Sequence, residues 1–165
     1  MRLKVVPKNN PSLVKLSSER GRLGWTTASV ACFGTGHSCF LIGLLTGLAQ
    51  VSFKNPRMGL AAHLEGVMNG AFLIALGAIW WEVKLSATQR ALAYWTVLYG
   101  TYGNWFTTTL AAILGTAALT PITSGVHSGE PWQEALITVG FVSVGLAMIT
   151  ASFFVLWGLR RIVAS

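Results

Sequence analysis

Gly59-Leu60-Ala61-Ala62-His63-Leu64-Glu65-Gly66-Val67-Met68-Asn69-Gly70 lies within an apolar run that continues to Trp81, and it carries three polar side chains. A run of this length and apolar character predicts a membrane-spanning helix. An imidazole, a carboxyl and an amide are each costly inside a bilayer unless they face protein or a bound ligand. His63, Glu65 and Asn69 are therefore the first candidates for a functional site.

Two glycines share the face of His63 on this helix. Gly66 and Gly70 follow His63 by three and seven positions, so they leave that face without side-chain bulk, and a flat ligand or another backbone can approach closely. Glu65 and Asn69 are four positions apart and share a different face. The stretch predicts a metal-ligating imidazole above a glycine floor, with a carboxyl and amide pair to one side.

Composition indicates a small integral membrane protein. The 165 residues are 53% hydrophobic and only 10% charged, with a mean hydropathy of +0.58. The formal net charge is +7, but Lys and Arg lie at the ends of apolar segments and form no basic stripe, which favours membrane lipid over nucleic acid as a partner. Cys32 and Cys39 are seven apart along one helix, too distant to form a disulfide, and we expect them to be packing residues.

The hydropathy pattern predicts an all-α fold, an integral membrane four-helix bundle over residues 24–165. We expect its helices at about 24–50, 60–81, 91–117 and 135–159, and a basic cytoplasmic tail over residues 1–23, partly disordered or interfacial. The tail, Lys84 with Arg90, and Arg160 with Arg161 fall on one side of the membrane. Since basic residues favour the cytoplasmic side, both termini are expected to be cytoplasmic.

The third helix carries an unusual polar and aromatic load. Thr101, Asn104 and Thr108 fall at i, i+3 and i+7, so they form one polar stripe that should face inward. Tyr99 and Tyr102 lie on the same helix. All of these residues have an ordinary alternative role, because amides join membrane helices by hydrogen bonds and aromatic residues pack or anchor them.

Other polar residues have simpler interpretations. His37 is most simply an imidazole hydrogen-bonded across a helix interface, with ligand binding as the alternative. We expect His127 to be a solvated loop residue and Arg57 to be an interfacial anchor.

A single histidine is a poor site for a bare zinc ion, which usually has at least three protein ligands. A porphyrin supplies four nitrogens itself, so one axial imidazole is sufficient for haem iron. The glycines and aromatic neighbours of His63 suit a flat macrocycle.

The sequence resembles the hydroxylaminobenzene mutases, which are small membrane proteins. The resemblance is carried by Gly43-Leu-Leu-Thr-Gly47 and by Asn55-Pro-Arg-Met-Gly-Leu-Ala-Ala-His-Leu-Glu-Gly-Val-Met-Asn-Gly70. A more distant similarity is to styrene oxide isomerase, in His63 followed by Asn69-Gly70 and in Gly103-Asn104. At two positions where that isomerase carries an acidic residue and a tyrosine, this chain has Gly100 and Thr108, which favours a different substrate.

The resemblance implies a homotrimer that binds haem b between subunits, with His63 as the axial ligand and the ferric iron as a Lewis acid. It implies that Asn69 orients the substrate. We expect Gly66 and Gly70 to be further cofactor-binding residues. We also expect a multi-pass isomerase of the bacterial inner (cytoplasmic) membrane.

The expected reaction is an intramolecular hydroxyl transfer that converts arylhydroxylamines such as hydroxylaminobenzene to 2-aminophenols. Glu65 is a candidate proton shuttle, and Asn69 and Asn104 are expected to hold the hydroxylamino group. The substrate-binding candidates are Tyr99, Tyr102 and Thr108. Three alternatives stay open: an epoxide isomerase, a haem electron carrier, and a small transporter that uses Glu65.

Overall fold

A computed structural model describes the backbone of residues 11–163 and the side chains of residues 29–160. Over these residues the chain is helical and contains no strand, which confirms the all-α prediction. The helices are α1 (Pro11–Ala49), α2 (Pro56–Ile79), α3 (Ala87–Leu114), α4 (Pro121–Ser124) and α5 (Pro131–Val163). Short 3₁₀ turns at Gln50–Ser52 and Trp80–Glu82 follow α1 and α2.

The helices begin earlier than the hydropathy pattern predicted, because their first turns are polar. The Asn55 side chain caps α2 by accepting from the backbone N–H groups of Arg57 (3.1 Å) and Met58 (3.2 Å). Ser86 and Gln89 form a capping box at the start of α3, which ends at Gly115 in the left-handed conformation, φ 70°. These caps correct the predicted starts at residues 60 and 91.

Helix α1 begins at Pro11, so residues 11–23, which the sequence assigned to a tail, continue the first helix. No proline interrupts the chain between Pro11 and Pro56, and this permits one long helix. Residues 1–10 of the predicted tail lie outside the described residues. The cytoplasmic location of the tail stays a prediction.

Within the part of the chain that the structure describes, three segments are long and apolar enough to cross a membrane: Ser29–Ser52, Pro56–Glu82 and Pro131–Arg160. Helix α3 is more polar and is not among them, but it runs between the same two ends of the molecule. At one end the Lys84 N–H, in the connection to α3, donates to the Gly158 carbonyl of α5, 3.3 Å away. At the other end the Asn55 N–H donates to the Ala112 carbonyl of α3 at 3.0 Å.

The long helices form an open row. Helix α2 packs between α1 and α3, and α3 packs between α2 and α5, while α1 and α5 make no close backbone approach within the described part of the chain. Gly77, near the end of α2, lies against Cys32 and the backbone of Ser29, so the first span starts at the end of the molecule where α5 finishes. Cys32 and Cys39 are free and buried, as expected of packing residues.

Candidate functional site

His63 is held against α1 in a defined tautomer. Its ring Nδ1 lies 2.8 Å from the carbonyl oxygen of Gly43, which only accepts hydrogen bonds, so Nδ1 carries the proton. The lone pair is then on Nε2, which is free to bind a metal, and a backbone partner of this kind is typical of metal-ligating histidines. A Cβ on Gly47 would lie 2.6 Å from Nδ1, so only glycine leaves room for the ring.

The predicted glycine floor beneath His63 is filled by α1. Gly66 and Gly70 are both buried. A Cβ on Gly66 would collide with Cα of Gly43, and a Cβ on Gly70 would lie 2.5 Å from the backbone nitrogen of Phe40. Of the two expectations for these glycines, the close approach of another backbone is the one observed. At Gly66 and Gly70 the chain leaves no open surface for a flat ligand, because α1 packs against both glycines, whereas His63 stays partly exposed.

Glu65, Asn69 and Asn104 meet between α2 and α3. The side-chain amide of Asn104 donates to Oε2 of Glu65. Asn69 Nδ2 lies 3.5 Å from the same oxygen and donates to the Thr101 carbonyl at 3.1 Å. All three side chains are partly buried. We call this group the acid–amide cluster; it places a carboxyl group and two amides where they can hold a polar ligand and move a proton.

Helix α2 separates this cluster from His63. Two positions along an α-helix correspond to a rotation of about 200°, so side chains at 63 and 65 point to nearly opposite sides. Accordingly, His63 bonds to α1, whereas Glu65 bonds to α3. Within one chain the candidate residues of α2 therefore lie in two groups, in agreement with the different faces that their spacing predicted.

The polar stripe of α3 faces inward as predicted. Thr101 and Thr108 are 0% and 4% exposed. Their hydroxyls donate to carbonyls of their own helix, from Thr101 to Val97 at 2.8 Å and from Thr108 to Asn104 at 2.9 Å. The Thr108 hydroxyl thus already has a backbone partner.

The two tyrosines connect α3 to different helices. The Tyr99 hydroxyl lies 2.7 Å from the Ser143 hydroxyl of α5, and most of the Tyr99 side chain is exposed. The Tyr102 hydroxyl donates to the Thr35 carbonyl of α1, also at 2.7 Å. In this arrangement both hydroxyls join helices.

Trp105 was not among the predicted site residues, yet it lies where three helices meet. Its indole N–H on α3 donates to the Thr46 hydroxyl of α1 at 2.9 Å. A Cβ on Gly66 of α2 would lie 3.0 Å from the indole ring. Nothing in the sequence identified this tryptophan as a residue packed against both α1 and α2.

The other histidines lie apart from both parts of the site. The His37 ring donates to the Phe33 carbonyl of its own helix at 2.8 Å and is exposed, which corrects the expected bond across a helix interface. The His127 ring donates to the Ser124 carbonyl at 3.0 Å. Together with Arg57 it lines a cavity of about 390 Å³ at the opposite end of the molecule from Lys84.

The metal-ligating side chains of the described residues suit a metal bound in a macrocycle, which supplies most of the ligands itself. Among residues 29–160 no group of three or more His, Cys, Asp or Glu side chains could hold a bare metal ion. One imidazole with a free Nε2 and a backbone partner on Nδ1 does suit the axial position of a haem.

Comparison with known proteins agrees with the resemblance seen in the sequence. A model of the family described as styrene oxide isomerase matches residues 29–160. Hydroxylaminobenzene mutase HabB of Ectopseudomonas oleovorans is 44% identical over 126 residues, covering 76% of this chain and 77% of that protein. Hydroxylaminobenzene mutase HabA of the same organism is 41% identical over 130 residues, covering 78% of this chain and 96% of that protein. No solved structure matches the chain.

Proposed function

The chain belongs to the styrene oxide isomerase family and is an isomerase, and on this premise we propose that it rearranges arylhydroxylamines such as hydroxylaminobenzene to 2-aminophenols. The proposal depends on one observation. The chain is 44% and 41% identical in sequence to two proteins named hydroxylaminobenzene mutase, in each case over more than three quarters of its length. Family membership also favours an enzyme over an electron carrier or a transporter.

The proposed reaction is an isomerisation with no net redox change. The N–O bond of the hydroxylamine breaks, and a C–O bond forms at the ortho carbon of the ring. That carbon loses its proton, and the nitrogen gains one. The protein must keep the oxygen and the electron-poor ring together and keep bulk water away, which the apolar surroundings of the membrane segment favour.

His63 is the residue that would hold haem b, and Gly43 and Gly47 fix its ring through the hydrogen bond and the space described above. When bound, the haem iron would supply Lewis acidity to the substrate oxygen.

The acid–amide cluster supplies polar groups for the remaining steps. Asn69 and Asn104 would hold the hydroxylamino group, and Glu65 would accept the ring proton and return a proton to nitrogen. The amide contacts to Oε2 of Glu65 place donor and acceptor groups together. Tyr99, Tyr102 and Thr108 receive no chemical step, because their hydroxyls already join helices or the backbone.

We also propose a multi-pass protein of the bacterial cytoplasmic membrane with both termini in the cytoplasm, assembled as a homotrimer. The distribution of Lys and Arg supports the orientation. The resemblance to styrene oxide isomerase supports the trimer.

The test is a spectrum and an assay on the same detergent-purified protein. We expect a Soret band and conversion of hydroxylaminobenzene to 2-aminophenol. His63→Ala should lose both, whereas Glu65→Gln should keep the Soret band and slow turnover by about a hundredfold or more. A colourless protein with full activity would contradict the haem assignment alone. Absence of 2-aminophenol from a haem-loaded preparation would contradict the mutase assignment.

Epoxide isomerisation is the second candidate, because the matching family model carries that name. In this chain the position of the acidic residue of styrene oxide isomerase is Gly100, where Met148 packs so closely that a Cβ would meet its sulfur. We expect no isomerisation of styrene oxide under conditions in which hydroxylaminobenzene is consumed. Equal turnover of both substrates would favour the epoxide isomerase.

A further inference from the structure

Trp105 of α3 packs at the point where α1 crosses α2. The crossing is made of glycines, since a Cβ on Gly66 would collide with Cα of Gly43. The same Cβ would lie 3.0 Å from the indole ring of Trp105, so the tryptophan closes the crossing from α3. His63 lies three residues before Gly66 and donates to the Gly43 carbonyl at 2.8 Å. The indole and the imidazole therefore meet α1 and α2 at the same crossing.

Thr46 connects Trp105 to the glycine segment of α1. Its side chain is 6% exposed and is the only polar one between Gly43 and Gly47. The Thr46 hydroxyl donates to the Ile42 carbonyl at 2.7 Å, which leaves its lone pairs to accept the Trp105 indole N–H at 2.9 Å. Trp105 is thus tied to the backbone of α1 one residue before Gly43.

The glycines of this crossing do not fix the position of α1 by themselves. They have no side chains that interlock with a neighbouring helix, so α1 can slide along α2. The bond from His63 to the Gly43 carbonyl tolerates little sliding, because a hydrogen bond weakens as its length and angle change. Another bond from α3 to α1, from the Tyr102 hydroxyl to the Thr35 carbonyl, lies eight residues before Gly43, about 12 Å along the helix. The indole bond acts only three residues from Gly43.

We propose that Trp105 is a positioning residue for His63. Its indole N–H holds Thr46 and thereby keeps the Gly43 carbonyl within reach of His63, so that the proton stays on Nδ1 and Nε2 stays free. The proposal rests on the proposed function, because it takes Nε2 of His63 as the atom that binds the haem.

One turn of α3 then anchors both parts of the site. Asn104 donates its side-chain amide to Oε2 of Glu65 on α2, and Trp105, the next residue, donates to Thr46 on α1. Consecutive side chains of a helix point about 100° apart, so each of the two reaches a different neighbouring helix. The position of α3 therefore sets the carboxyl group and the imidazole together.

Trp105→Phe tests the proposal, because it removes the N–H and keeps an aromatic ring at the crossing. Nitrogen NMR spectra of the full-length protein with isotope-labelled histidine, recorded before haem is added, report which ring nitrogen of His63 carries the proton. We expect the Nδ1–H form alone in the wild type and a mixture of both forms in Trp105→Phe. The signals of His63 are identified by their absence from His63→Ala.

The affinity for added haemin is the second readout. We expect it to fall about tenfold in Trp105→Phe, since partners that orient a metal ligand typically contribute 10- to 100-fold. Thr46→Val, which removes the hydroxyl, should reproduce the changes in the NMR spectrum and in haemin affinity. Thr46→Ser keeps the hydroxyl, so it should resemble the wild type in both.

Tyr102→Phe is the matched control, because it removes the other bond from α3 to α1, which lies farther from His63. It should lower the melting temperature about as much as Trp105→Phe does, while the His63 spectrum and the haemin affinity stay as in the wild type. Equal changes at His63 in the two variants would reduce Trp105 to general packing and overturn the proposal. An unchanged His63 spectrum in Trp105→Phe would overturn it as well.

The pair of Thr46 variants decides the question if Trp105→Phe does not fold. Identical His63 spectra for Thr46→Val and Thr46→Ser would then overturn the proposal. A wild-type protein that binds no haemin, or that makes no 2-aminophenol, would contradict the proposed function instead. The NMR comparison needs neither haem nor turnover, so it still decides the role of Trp105.

Discussion

His63 shows how much one side chain depends on residues that have no functional group. The proton on Nδ1 is placed by the Gly43 carbonyl, and the ring fits because Gly47 has no side chain. The sequence predicted the importance of the imidazole, and Gly43 and Gly47 entered only through the stretch that carries the family resemblance. It did not connect them, because the contact depends on how α1 and α2 cross.

Gly47→Ala should displace the imidazole, because the new methyl group would lie 2.6 Å from Nδ1. We expect loss of the Soret band and a fall in turnover of about tenfold or more, since removal of a partner that orients a metal ligand typically costs 10- to 100-fold. Gly34→Ala on the same helix is the matched control, because nothing lies within 4 Å of its added Cβ. Absorption spectra of both variants, normalised to protein, check the prediction. A normal Soret band in Gly47→Ala would contradict it.

The different faces of His63 and Glu65 could be predicted from helical spacing alone. What spacing could not provide was the neighbour of each face. Contacts such as Glu65 to Asn104 join residues far apart in sequence, and they depend on the order of helices in the row. The separation of His63 from Glu65 therefore agrees with the spacing, and only the neighbour of each side chain had to come from the structure.

At the level of elements, proline marks where helices begin in this chain. Four of the five described helices start at a proline: Pro11, Pro56, Pro121 and Pro131. Proline suits the first helical position, because the N–H it lacks would have no helical partner there. The Asn55-Pro56 pair follows this pattern, because Asn55 caps α2 and Pro56 is its first residue. Hydropathy located the apolar centres of the helices, and capping chemistry located their ends.

Asn55→Ala should destabilise the protein more than an exposed cap would. The buried Asn55 side chain caps α2 and donates from Nδ2 to the Thr123 and Ser124 carbonyls at 3.0 and 3.3 Å. Loss of the cap costs about 1 kcal/mol, and the Thr123 carbonyl, which loses its donor, adds about 1–3 kcal/mol. Thermal unfolding in detergent measures the difference.

Ser86→Ala is the control for that experiment, because Ser86 caps α3 at an exposed position. It should cost about 1 kcal/mol or less. Equal decreases in melting temperature for the two variants would show that the Nδ2 bonds of Asn55 contribute nothing. Asn55→Asp keeps the cap oxygen, so its decrease in melting temperature should lie between those of Asn55→Ala and Ser86→Ala.

At the scale of the whole molecule, the polar helix α3 is explained by its place in the row. It packs against α2 on one side and α5 on the other, so it does not need the uniform apolar surface of an outer helix. Its threonines are buried and bond their own backbone. The sequence predicted four membrane helices from length and spacing. Among the described residues composition supports three, and the hydrogen bonds at both ends of α3 connect it to its neighbours, while a fourth membrane crossing stays a prediction.

This arrangement predicts which loops are accessible from each side of the membrane. The α2–α3 connection carries Lys84 and lies with the end of α5, whereas the α4–α5 connection lies at the other end with Asn55. Thr88→Cys and Ser128→Cys place exposed thiols near these two ends. The native Cys32 and Cys39 are 1% and 0% exposed, so they should not react with a membrane-impermeant maleimide.

In intact cells we expect the impermeant reagent to label Ser128→Cys at once and Thr88→Cys only after the membrane is permeabilised. The physical reason is the basic character of the Thr88 end, where Lys84, Arg90 and Arg160 lie, because such residues favour the cytoplasmic side. The reverse pattern would invert the orientation while leaving the fold intact. Labelling of both thiols in intact cells would contradict the fold itself, because it would place on one side two connections that the helices hold at opposite ends.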